Sequence, residues 1–200
     1  MKRLLIPLIA VLIVGCDIEV KTNKEKLRCP KGKCPASPPA DCPYMELPPM
    51  DLPVELRQRN YSGGSCVHAS LVSVLRWQNL HTFADWWQSR YRGGESLGGL
   101  VAKAEDAGMR FAFTGSGDEQ FLEWCSRTRR GAVIFYYSSH SISFCGFMGG
   151  SAVVMDNNNV ERLIHIPKAE FLQRWRGYGG VAFTPVYTPS PPLPWIPQTS

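Results

Sequence analysis

Apolar residues are unevenly spread along the 200 residues of the chain. Positions 4–14 form an apolar run with no helical or strand alternation. Periodic patterning begins only after position 60. Val67, Leu71, Val74 and Leu75 recur at helical spacing and predict a helix over 66–80, opening behind the glycine-rich turn Ser62-Gly63-Gly64-Ser65. Thr82 and Asp85 have the spacing of a capping-box helix start, with Trp86, Trp87 and Tyr91 following at helical spacing. Further on the pattern changes to strands. Residues 131–137 are almost wholly apolar, 141–147 form a second run and 151–155 a third. The second and third are joined by Met148-Gly149-Gly150, which predicts two adjacent antiparallel strands. Residues 162–167 read as one more strand.

Proline bounds this patterned region. Of 16 prolines, eight lie in 30–53 and six in 185–197, whereas Pro167 alone lies between 54 and 184. Residues 16–53 therefore read as an extended tether and 185–200 as a proline-rich tail with Trp195 as its one large anchor. The remaining 54–184 is enough for one domain with a single core, and too little for a separate cofactor domain. No GxGxxG or GxxxxGK[ST] is present to hold a nucleotide, and no cofactor is expected. A hydrophobic content of 44% with 20% charged residues excludes a disordered chain. Of the net charge of +5, Lys2 and Arg3 contribute two, the lysine-rich tether is balanced by its acids, and 54–184 holds 14 basic against 11 acidic residues. An excess of three charges spread over the domain is not a clustered basic face, so a nucleic-acid partner is not expected. Its one basic cluster, Arg127, Arg129 and Arg130, reads as a solvated helix end.

The apolar run at 4–14 is too short to span a bilayer and follows Lys2-Arg3. It ends in Leu12-Ile13-Val14-Gly15-Cys16, which resembles the lipobox of bacterial lipoproteins. That resemblance implies a signal peptide over 1–15, cleavage before Cys16, diacylglycerol on its thiol and acylation of the new amine. Two or three acyl chains anchor a protein stably to a membrane. The expected location is the bacterial cell envelope, outside the cytoplasm. Asp17 resembles the inner-membrane retention signal of enteric lipoproteins.

Six further cysteines divide into two kinds. Cys29, Cys34 and Cys42 lack the paired spacing of a tetrahedral zinc site, so no metal is expected and one disulfide with an odd thiol is. Cys125 and Cys145 read as buried structural residues. Cys66 is different, because it opens the first predicted helix. Unpaired N–H groups and the positive end of the helix dipole favour its thiolate, which is the nucleophilic form. The glycines before it allow close approach of a substrate backbone. Four histidines could serve as its base. His68 lies roughly 200° around the same helix and His81 about 20 Å along it. His165 reads as an exposed strand residue beyond the acid. His140 opens the second strand, and the hairpin to the third brings it beside Asp156. A carboxylate there would accept from one imidazole nitrogen and leave the other for Cys66. Asn157, the next residue, is the alternative orienting group should the register slip by one.

The order Cys66, His140, Asp156 resembles that of the papain-like cysteine peptidases, in particular the bacteriocin-processing branch. Residues 98–109 are similar to that branch's helix that ends at glycine and enters a strand. Residues 162–175 are similar to its final strand and helix. The resemblance covers about 55–184. It implies an α+β, papain-like fold with the nucleophile helix packed on a small antiparallel sheet. It also implies cleavage of a peptide or amide bond in a peptide or protein substrate. The family places a glutamine a few residues before the cysteine to help hold the oxyanion. Here Asn60 stands six before and Gln58 eight before, and either carboxamide could donate. Ser139, Ser141 and Ser143 make the histidine strand more polar than is usual. Two other functions remain open on the sequence: acyl transfer of the transglutaminase kind, and a catalytically inactive surface lipoprotein acting as a binding module. The tryptophans Trp77, Trp124 and Trp175, with one of Trp86 and Trp87, read as core.

Overall fold

A computed structural model describes residues 51–187. Cys16 and the signal segment, Cys29, Cys34 and Cys42, and Trp195 lie outside the described residues.

Helix α1 (Cys66–Trp77) is the centre of the molecule. All its residues except Arg76 are buried, including His68, Ser70 and Ser73. Buried hydroxyls require partners, and they find them in backbone. Ser73 Oγ accepts from the Gln58 N–H at 2.8 Å and donates to the Ala69 carbonyl at 3.1 Å. The helix stops before position 80 because Asn79 adopts φ +62° and the Leu80 N–H closes back onto the Leu75 carbonyl, a Schellman-type end. Helix α2 (His81–Arg90) then starts one residue ahead of the expected Thr82. Its N-cap is Leu80, with no side-chain cap, so the capping-box reading of Thr82 and Asp85 is corrected. Of the two adjacent tryptophans, Trp87 is buried and Trp86 is 40% exposed. Helix α3 (Leu97–Asp106) is capped by Ser96, whose Oγ accepts from the Gly99 N–H at 3.1 Å. It leads into β1 (Phe111–Thr114) and then α4 (Glu119–Arg127).

The second half is β2 (Ala132–Tyr137), β3 (His140–Met148), β4 (Ser151–Asp156), β5 (Asn159–Pro167), α5 (Lys168–Gly177) and β6 (Ala182–Pro185). Gly149 and Gly150 both take positive φ, the conformation that a two-residue turn between Met148 and Ser151 requires. The six strands form one antiparallel sheet in the order β1-β6-β2-β3-β4-β5. β6, the strand that the sequence pattern does not announce, lies between β1 and β2.

Helices cover both faces. Ile134, Ile142, Phe144 and Val154 face α4 and α5, with Phe121, Phe171 and Trp175. Val133 and Phe183 face the other way, onto Leu71 and Leu75 of α1, with Trp87 and Leu100 behind them. A sheet buried on both sides reads as continuous apolar runs, which is why 131–137 shows no alternation. This is the α+β arrangement expected, with the cysteine helix packed on an antiparallel sheet.

The basic cluster at the end of α4 is partly a misreading. Arg130 is fully buried. Its guanidinium lies 4.3 Å from the centre of the Trp124 ring and its Nε donates to Thr128 Oγ1 at 2.7 Å. Burial lowers its pKa to about 10. A guanidinium presents a flat face that an indole can cover, and among the described residues no carboxylate pairs with it. Cys125 and Cys145 are buried free thiols, and burial pushes Cys145 up to about 12.

Candidate active site

The loop ahead of α1 is folded around one hydroxyl. Ser65 Oγ accepts from the N–H groups of Tyr61 (3.3 Å) and Ser62 (3.0 Å) and lies within donating distance of the Asn60 carboxamide oxygen and the Ser62 carbonyl. Next to it Gly64 has φ +79°, and a Cβ there would stand 3.0 Å from the Gly94 nitrogen. The loop is thus pressed backbone to backbone against the α2–α3 connection. Tyr61 reinforces that contact by donating from its hydroxyl to the Tyr91 carbonyl at 2.9 Å. The result presents Cys66 as the first residue of α1, 5% exposed, at the helix N-terminus.

His140 comes to it from the sheet. It opens β3, while Asp156 closes β4, and Ser143 pairs with Met155 in the register between them. The two therefore meet diagonally at the end of the hairpin. His140 Nε2 lies 2.8 Å from Asp156 Oδ1, and the Tyr137 ring stacks on the imidazole with centroids 5.9 Å apart. The N–H of Ser141, one residue on, donates to Cys66 Sγ at 3.4 Å.

These contacts act on the titration of both groups. Burial pushes the Cys66 thiol up, but hydrogen bonds from His140 and the Ser141 N–H, with the charge of His140 and the Val67 N–H, outweigh it and hold the thiol below its usual range. His140 is raised, first by its hydrogen bond with Cys66 and, against some desolvation, by that with Asp156. Opposite shifts of this kind favour thiolate beside imidazolium. Cys66 and His140 open onto a cleft of about 390 Å³. Gly64, Gly94 and Glu95 line one side of it and Val67, Phe135 and Tyr137 give it an apolar wall.

The other residues singled out from sequence are distributed as follows. Asn157 does not face the imidazole. It is buried, and its Nδ2 reaches the Cys66 carbonyl (3.0 Å), Ser70 Oγ (2.9 Å) and the Ser141 carbonyl (2.8 Å). Asn60 is at the site: its N–H donates to the Asn157 carbonyl at 2.8 Å, and its Nδ2 lies 3.4 Å from Asn158 Oδ1. Gln58 is not, and its reading as an oxyanion donor is corrected. The segment before the loop runs along α1, so the Gln58 N–H meets Ser73, two turns below Cys66. Its carboxamide is taken by Arg76 (2.9 Å) and the Arg59 carbonyl (2.8 Å).

His165 is exposed on β5 and His81 begins α2. His68 is buried on the far side of α1, where its Nδ1 accepts from Trp87 Nε1 at 3.2 Å. Burial, with a smaller contribution from Lys103 and against Glu95, lowers its pKa to about 4.

Asn158 is the site residue that the sequence reading missed. Its N–H donates to Asp156 Oδ1 at 2.9 Å, and its carboxamide lies 3.3 Å from His140 Nε2. The signal was present: an acid followed two residues later by a turn residue is an Asx turn, and three asparagines after Asp156 are a turn composition.

No family model matches the chain, and no curated protein does. Among solved structures the chain is similar to a double glycine motif protease from an AMS/PCAT transporter, solved in complex with the leader peptide. That match has 19% identity and a TM-score of 0.45, covering 64% of this chain and 89% of that one. It is also similar to the peptidase domain of Streptococcus ComA, a bi-functional ABC transporter involved in a quorum-sensing pathway. There the identity is 14% and the TM-score 0.49, over 64% of this chain and 96% of that one. A third match is the peptidase domain of Streptococcus mutans ComA in complex with a small-molecule inhibitor, at 14% identity and a TM-score of 0.44, over 63% and 94%.

Proposed function

We propose that this chain is a cysteine peptidase, anchored to the bacterial cell envelope through lipid on Cys16, that hydrolyses a peptide or amide bond with Cys66, His140 and Asp156. The observation that carries the reading is geometric: Cys66 at a helix N-terminus lines one cleft with His140, whose Nε2 lies 2.8 Å from the Asp156 carboxylate, and the directions in which the thiol and the imidazole are shifted agree with it. Such a pair stores the nucleophile as thiolate near neutral pH.

In this mechanism Cys66 Sγ attacks the substrate carbonyl carbon, and the carbonyl π electrons move to oxygen. The N–H of Cys66 and the Asn60 carboxamide stabilise that oxyanion. The imidazolium gives its proton to the leaving amine, the C–N bond breaks, and an acyl thioester remains. Water then attacks the thioester while His140 takes its proton. The thiolate leaves, and the carboxylic acid is released. Asp156 keeps the imidazole in one tautomer and orientation throughout. The cleft is bounded by glycine backbone on one side and apolar residues on the other, which suits an extended peptide.

The test is labelling of the full chain with an epoxysuccinyl peptide, followed by mass spectrometry of the cysteine-containing fragments. Cys66 is expected to react rapidly at pH 6 while Cys125 does not, and His140→Ala is expected to slow Cys66 by at least tenfold. Equal slow reaction of Cys66 and Cys125 would overturn the assignment.

A further inference from the structure

Asp156 Oδ1 serves two groups at once, the His140 imidazole at 2.8 Å and the backbone N–H of Asn158 at 2.9 Å. The Asn158 carboxamide in turn lies between His140 Nε2 (3.3 Å) and the Asn60 carboxamide (3.4 Å), and Asn60 meets Ser65, the residue before the nucleophile. A chain of polar groups therefore runs from the imidazole around the rim of the site to the start of α1.

Proton counting fixes its direction. Facing a carboxylate, His140 Nε2 carries hydrogen in both the neutral and the charged ring. The amide atom placed against it is Asn158 Nδ2, at 3.3 Å, but a ring nitrogen that already carries hydrogen can give to a second acceptor and cannot receive, so the carboxamide serves it only after a half-turn that presents Oδ1. That half-turn sets Asn158 Nδ2 against Asn60, whose carboxamide, placed with Nδ2 toward Asn158 and Oδ1 toward Ser65, turns over with it to offer Oδ1. The turned Asn60 presents Nδ2 to the side of Ser65 and Cys66, where the peptidase reading places the oxyanion. Ser65 Oγ keeps its own hydrogen for the Ser62 carbonyl at 2.9 Å.

We propose that Asn158 is a positioning residue that couples His140 to Asn60, accepting from the imidazole N–H with its oxygen and orienting the Asn60 amide with its nitrogen. The proposal rests on the peptidase reading above. The backbone N–H of residue 158 survives any substitution but proline, so side-chain variants isolate the carboxamide.

Charge near the ring makes this measurable by pH. The titratable and charged groups around His140 are Cys66 on α1, Asp156 on β4, Tyr137 on β2 and Glu95 across the cleft. Arg59 joins them through the Asn158 carbonyl at 3.2 Å. The experiment measures the rate of Cys66 carboxamidomethylation by iodoacetamide on the full chain from pH 5 to 10. The upper inflection of that profile reports loss of the imidazolium proton. Asn158→Asp places a second carboxylate on the imidazolium, and the upper inflection is expected to rise by about one pH unit. Asn158→Ala removes an acceptor and is expected to lower it. A role confined to holding the turn would reduce the folded fraction and leave both inflections in place. Unmoved inflections in two variants with wild-type near-UV circular dichroism would therefore overturn the proposal while leaving the peptidase reading intact. An ordinary-thiol profile for wild-type Cys66 would overturn both.

Discussion

Asn157 Nδ2 lies 3.0 Å from the carbonyl oxygen of Cys66, so the turn that follows the candidate acid is tied directly to the backbone of the candidate nucleophile. The same nitrogen reaches Ser70 Oγ and the Ser141 carbonyl. One buried amide thereby joins α1, β3 and the β4–β5 turn. Asp156 and Asn157, adjacent in sequence, point in opposite directions and do different things: one meets the imidazole and the other fixes the frame on which thiol and imidazole are carried.

Asn157→Ala should then destabilise the domain by about 3 kcal/mol, since it leaves buried acceptors without a donor. Asn157→Asp, of the same shape, should cost at least as much, because it sets an acceptor against acceptors. Urea unfolding followed by tryptophan fluorescence measures both. Loss of less than about 1 kcal/mol in either would show that the two N–H groups of this amide do not hold these acceptors.

His68 predicts an acid weakness separate from the site. Its folded pKa of about 4 lies below the ordinary value of 6.5. Between those values the unfolded chain binds a proton that the folded one does not. Stability must therefore fall as pH drops through that window, by about 3 kcal/mol in all. His68→Gln carries no titrating group and should flatten the dependence. Thermal unfolding of both proteins at pH 7 and pH 4.5 distinguishes them, and parallel losses would place the acid sensitivity elsewhere.

The positive φ of Gly64 and its closeness to Gly94 make Gly64→Ala a test of the presenting loop. The new Cβ is strained by the backbone and pressed on a neighbouring backbone nitrogen, so the loop must shift. Rapid labelling of Cys66 at pH 6 should fall by tenfold or more, with little change in the circular dichroism of α1. Labelling at the wild-type rate would mean that the loop does not set the thiol's environment.

The anchor is tested apart from the domain. Cys16→Ser should move the protein from the detergent phase to the aqueous phase in detergent partitioning, with the labelling of Cys66 unchanged. Partitioning that survives the substitution would place the anchor elsewhere.

Most of the frame is readable in the sequence because it is local. Val67, Leu71, Val74 and Leu75 announce α1, and the Gly149-Gly150 turn announces the hairpin that joins His140 to Asp156. What escapes is set by tertiary context. β6 is four residues long and all its positions are buried, so it has no alternation to detect. Arg130 has the composition of a surface and the surroundings of a core, because an indole covers its flat face. Gln58 and Asn60 are indistinguishable as donors until the path of the segment along α1 is known. His68 falls on the face of α1 turned away from the site, and helical geometry gives that much without the structure.

The place of β6 has a consequence for how the chain is made. Among the described residues β1 pairs only with β6, and β2 pairs with β6 on one side and with β3 on the other. Synthesis runs from the N-terminus, so β1 to β5 exist as polypeptide before residues 182–185 have left the ribosome. During that interval β1 has no partner and β2 is an open edge, the kind of surface that recruits other strands. The hairpin bearing His140 and Asp156 can close early, but the sheet that supports it is completed only by its last strand. A chain cut short before Ala182 should therefore aggregate rather than persist as a smaller folded domain.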